Sequence, residues 1–129
     1  MENVWKTFTN LARWEDWNTV IRKVRSDQKG LKEGADLKCS FYPFLFPIEM
    51  KIEIERVIPH DLIVWSSEKK GLFAHHEFLF REQGKGVLVV SRETFTGMLA
   101  KGAGFLLPVE RIRTLTKTFL KDLKRACES

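Results

Sequence analysis

The sequence predicts an α+β protein: an antiparallel sheet of six strands covered on one face by one long C-terminal helix, with short helices at the N-terminus. Three observations carry this. Residues 48–55 alternate strictly as Ile-Glu-Met-Lys-Ile-Glu-Ile-Glu, the period of a half-buried strand. Turn signals such as Pro59-His60-Asp61 and Gln83-Gly84-Lys85-Gly86 separate stretches rich in β-branched and aromatic residues. From Val109 the period changes: Val109, Ile112, Leu115, Phe119, Leu123 and Cys127 share one helical face, and Pro108 suits its first turn. Strands joined by short turns pair antiparallel, one face of the sheet must be covered, and this helix is the element large enough to cover it.

The elements follow in order. Val4, Trp5, Phe8, Leu11 and Ala12 have helical spacing between Glu2 and Trp17, and Thr9-Asn10 divides that segment into two short helices. Val20–Arg25 reads as a strand closed by the Asp27–Gly30 turn, and Leu37–Tyr42 as a second, ended by Pro43. Ile48–Glu55 is the clearest strand, and Arg56-Val57 break its alternation as a bulge would. Leu62–Ser66, Phe73–Phe80 and Val87–Thr96 complete the sheet.

Composition narrows the class. The chain has 129 residues, 43% hydrophobic and 30% charged, which fits a single globular domain over 1–129 and excludes disorder. No apolar run approaches the roughly 18 residues that span a bilayer. Glu2, Lys6, Arg13, Glu15 and Asp16 exclude a secretory signal at the start. Cys39 and Cys127 lie far apart, so reduced thiols and a cytoplasmic location are expected. The net charge is +5, with Lys and Arg spread along the chain among acidic residues, so nucleic acid is not an expected partner. There is no P-loop or dinucleotide fingerprint. His75 and His76 are adjacent in a strand and point to opposite faces, so they cannot chelate one ion; neither metal nor cofactor is expected.

A wider pattern runs through nearly the whole chain: Val4-Trp5, Arg13-Trp14-Glu15-Asp16-Trp17-Asn18, Gly34 ahead of a strand, Arg56-Val57-Ile58-Pro59, Leu62-Ile63-Val64-Trp65, and Glu93-Thr94-Phe95-Thr96-Gly97 ahead of the long helix. In this order they resemble the START-like (SRPBCC) superfamily with the helix-grip fold, near its polyketide cyclase/dehydrase and lipid-transport branch. The resemblance implies a cavity between sheet and helix that binds or carries a hydrophobic small molecule or lipid. The family also offers two other precedents, a cyclase or dehydrase-like enzyme and a co-chaperone-like interaction module. The family's usual first strand has no counterpart ahead of the first helix here, which leaves the Val87–Thr96 edge open. A homodimer, or the N-terminal segment laid over that edge, is the expected remedy.

The tight turn at Gln83–Gly86 sets Phe80 opposite Val89, Phe78 opposite Ser91 and His76 opposite Glu93, all on the inner face. His76 and Glu93 are thus candidates to orient a polar head or shuttle a proton, with a simple ion pair as the alternative. The expected pocket wall is Met50, Ile52, Phe78, Phe80, Phe95 and Phe119. Trp65 joins it by resemblance, although parity leaves its direction open. Alternate turns fall at one end of the sheet, and three apolar segments meet there. The resemblance puts the pocket entrance at this end, so Phe44, Phe46, Leu72, Met98, Leu99 and Phe105 are expected either to rim it or, equally, to fold inward as a plug. With Lys69, Lys70 and Lys101 beside them, they suggest transient contact with an anionic membrane.

Overall fold

A computed structural model describes residues 1–26, 30–41, 48–69, 72–97 and 109–128. The helices are α1 (Glu2–Thr9), α2 (Trp14–Trp17) and α3 (Val109–Glu128), with a 3-10 turn at Leu11–Arg13. The strands are β1 (Ile21–Arg25), β2 (Asp36–Phe41), β3 (Ile48–Ile58), β4 (Leu62–Lys69), β5 (Leu72–Gln83) and β6 (Gly86–Thr96). They form a single six-stranded antiparallel sheet in sequence order, with β1 and β6 at its two ends.

Local chemistry explains the register. Gly84 at φ 61° turns the chain so that Gln83 pairs with Gly86, and from there Phe80 meets Val89, Phe78 meets Ser91 and His76 meets Glu93. The β3–β4 ladder slips between Ile54 and Arg56, where the alternation fails in the sequence. Strands β4 and β5 run longer than their sequence patterns, because polar residues at their ends, Glu68 and Lys69 on β4 and Arg81, Glu82 and Gln83 on β5, still pair through the backbone.

The core is a cluster of rings beneath the sheet. Phe8 is fully buried and packs edge-on against Trp14, Phe78, Phe80 and Phe119 at centroid distances of 6.1, 4.9, 5.4 and 5.8 Å. Such pairs add roughly 0.5–1.5 kcal/mol each beyond the burial of their area. The amphipathic helix α1 delivers Trp5 and Phe8 to this cluster, and α3 delivers Phe119 and Leu123. Asp122 is buried on the same side of α3 and anchors it to Thr19, just ahead of β1. Among the described residues no helix is long and apolar enough to cross a membrane.

Candidate functional site

The ring cluster fills one part of the space between sheet and α3. Beside it a cavity of about 100 Å³ remains, between the inner faces of the strands and the first half of α3. Inward alternation on three strands builds its walls: Met50 and Ile52 on β3, Trp65, Ser67 and Lys69 on β4, and Ala74, His76 and Phe78 on β5. Glu93 from β6 and Ile112, Leu115, Thr116 and Phe119 from α3 close it.

Seven of the expected wall residues thus meet here: Met50, Ile52, Trp65, His76, Phe78, Glu93 and Phe119. Trp65, whose direction parity left open, points inward and is 5% exposed. Two ring positions lie elsewhere. Phe80 is buried against Trp5 and Phe8, because α1 caps that part of the inner face. Phe95 packs beside Phe41 and Leu72 with the Arg113 guanidinium 5.6 Å above its ring. Leu72, expected at the rim or folded inward, takes the inward course: it is 4% exposed and lines the cavity, since its place opposite Lys69 on the inner face turns it inward. Phe44, Phe46, Met98, Leu99 and Phe105 lie outside the described residues. Ser67, Ala74 and Thr116 line the cavity without having been singled out in the sequence; Cys39, expected as a reduced thiol, and Lys69, expected beside the entrance rim, line it as well. Parity could have found Ser67 and Lys69 had the strand been carried past Ser66.

The polar corner is made by β5 and β6. The His76 ring stacks on Phe78 at 4.1 Å and meets Trp65 edge-on at 5.7 Å. Its Nε2 lies 2.6 Å from Ser91 Oγ and 3.8 Å from Glu93 Oε1. Burial, with the neighbouring His75 adding to it, pushes the His76 imidazole down to about 3. Burial pushes the Glu93 carboxyl up, opposed by a hydrogen bond from Thr116 and by the Arg113 charge. At neutral pH the corner therefore holds a neutral imidazole, and the pair is not the ion pair that its distance suggests.

Two other groups are quiet. Burial drives the Cys39 thiol up to about 12 against the pull of Arg25, so it stays protonated and is no nucleophile. His75 faces the opposite side of the sheet, near Glu55 and Glu77 at 3.6 and 3.7 Å. Among the described residues no three His, Cys, Asp or Glu side chains gather as a metal site.

No family model matches the chain, and no curated protein matches it. Solved structures do. A hypothetical protein from Helicobacter pylori superposes with a TM-score of 0.74 at 18% identity, over 95% of this chain and 77% of that one. Norcoclaurine synthase from Thalictrum flavum, solved with a transition-state analogue, gives 0.65 at 17% identity over 96% and 86%. Ara h 8.0201 gives 0.70 at 10% identity over 98% and 86%. Such identities speak for architecture and not for chemistry. The chain has the helix-grip fold that its sequence resembles, the architecture of norcoclaurine synthase and Ara h 8.0201.

Proposed function

We propose that this protein binds a compact hydrophobic small molecule in the cavity between the sheet and α3. The observation that carries the reading is the cavity itself, an apolar space of about 100 Å³ with one polar corner inside an otherwise closely packed interior. A void of this kind forfeits contacts that packing would supply, unless a ligand occupies it. At about 100 Å³ it lies below the ~150 Å³ cavity that holds benzene and far below the roughly 300–1,000 Å³ of drug-sized sites, so it excludes a whole lipid and takes one ring or a short chain only as its walls yield slightly. Ala74 on β5 offers the test, because it lines the cavity between Ser67 and Phe95 on its neighbouring strands. Calorimetric titration with 2-phenylethanol should show binding to the wild type and none to Ala74→Phe, whose ring fills the space. Failure of the wild type to bind such probes at millimolar concentration, or equal binding by Ala74→Phe, defeats the reading.

A second reading is acid–base catalysis of the cyclase or dehydrase kind, favoured by the raised Glu93 carboxyl within the cavity. His76 suits it poorly. A base works best with its pKa near the working pH, and an imidazole at about 3 is a weak one. In this reading Glu93 carries the proton and His76 positions the substrate. Turnover lost in Glu93→Gln, with binding retained, would separate catalysis from simple binding.

A further inference from the structure

Lys69 occupies an unusual place for a lysine. It is the last residue of β4 and, two positions beyond Ser67 and four beyond Trp65, shares their inner face. It is half-buried and lines the cavity, where it is the sole lysine or arginine among the described lining residues. The β3 lysine behaves in the ordinary way: Lys51 faces out and pairs with Asp36 at 3.4 Å and Glu53 at 3.9 Å. Among the described residues no carboxylate stands within ion-pair distance of the Lys69 ammonium. Glu93, the carboxyl of the same cavity, is on β6, two strands away, in line with Trp65 rather than with Lys69. At about 3.3 Å per residue, the two backbone positions are offset by roughly 13 Å along the strands. Glu93 moreover has the Thr116 hydrogen bond and the Arg113 charge as its own partners.

A cation at one end of an apolar cavity, with its counter-charge not supplied by the described protein, is a recognition element for an anion whose body is apolar. Ser67, the next inward residue on β4, adds a hydroxyl beside it. We propose that Lys69 recognises the acidic group of the ligand, so that the cavity takes a compact hydrophobic monocarboxylate in preference to the corresponding neutral molecule. This rests on the cavity-binding reading above and deepens it. The carboxylate would sit at the Lys69 end of β4, and the ring or short chain would lie along Leu72, Ala74 and Ile52.

Two matched pairs of probes test it: phenylacetate with 2-phenylethanol, and hexanoate with 1-hexanol. Each pair keeps the apolar body and changes the head. In calorimetry at pH 7 the wild type should bind each acid about tenfold or more tightly than its alcohol, as expected of a charge-assisted hydrogen bond. Lys69→Met keeps the apolar stem and should bring the ratio close to one, with the loss falling on the acids. Lys69→Arg should retain the preference, which guards against a loss caused by misfolding. Equal binding of acids and alcohols by the wild type, or an acid preference that survives in Lys69→Met, overturns this inference and leaves the cavity reading standing. Absence of binding by all four probes overturns both.

Discussion

His76 and Glu93 face each other across β5 and β6 with Nε2 3.8 Å from Oε1, yet burial keeps the imidazole uncharged. Between about pH 6.5 and 3 the unfolded chain binds a proton that the folded chain refuses, so stability falls as pH is lowered through that window. For one group the slope approaches ~1.4 kcal/mol per pH unit. Glu93 has the opposite sign. Its raised pKa means that the folded state holds the proton above 4.5, and stability is lost as pH rises through the folded value. The His76 ring signal should therefore not titrate between pH 8 and 5 in NMR, and His76→Phe should flatten the acid limb of the stability profile. A titration midpoint near 6.5 would contradict this account of the site.

Phe119 joins the core to the cavity. It is 2% exposed, packs on Phe8, Trp14 and Trp17, and also forms part of the cavity wall. Phe119→Ala should cost about 3–5 kcal/mol in urea denaturation, the usual range for a buried ring. It should also widen the cavity, so a neutral probe larger than phenylethanol, such as 2-naphthylethanol, should bind the variant more tightly than the wild type. A large stability loss without that gain would mean that the core collapses into the space.

Gly84 carries the register on which the polar corner depends. With φ 61° and nothing within 4 Å of a built Cβ, its substitution is opposed by backbone strain and not by a clash. Gly84→Val should destabilise by about 1–2 kcal/mol, and Gly84→Asn by clearly less, because Asn tolerates the left-handed region. Comparable losses for both in thermal denaturation would refute the strain argument.

The same turn explains what was legible in the sequence. A two-residue hairpin leaves one register, so the placing of His76 opposite Glu93 follows from Gly84 and parity alone. Parity names a face and not a place along it. Phe78 and Phe80 share the inner face of β5, but α1 brings Trp5 and Phe8 over Phe80 and leaves the cavity to Phe78. The cavity's size was hidden for the same reason, since it is what remains after distant segments have packed. Lys69 is expected in a loop beside the rim because a Lys-Lys-Gly sequence signals a turn, whereas the β4–β5 backbone ladder continues as far as Lys69 and Leu72 and sets it on the inner face. Asp122 was missed because an Asp between Lys121 and Leu123 reads as a polar helix residue, and its partner is 103 positions away.

That partner is Thr19, and the contact ties α3 to the start of β1. Asp122 Oδ2 accepts hydrogen bonds from the Thr19 backbone N–H and from its hydroxyl, each at 2.8 Å. The carboxylate is 3% exposed, and its other oxygen has Arg125 at 3.6 Å, whose side chain is 74% exposed and contributes little. Hydrogen bonds to a charged group are worth about 1.5–3 kcal/mol, and leaving a donor unpaired adds its desolvation cost. Asp122→Ala should therefore lose about 2–4 kcal/mol in urea denaturation. Asp122→Asn keeps one acceptor and should lose about half as much, and Thr19→Val should remove the hydroxyl contribution alone. Because Val20 and Ile21 follow Thr19 directly and line the cavity, Asp122→Ala should also weaken binding of 2-phenylethanol. A variant as stable as the wild type would show that the buried carboxylate does not hold α3 to the sheet.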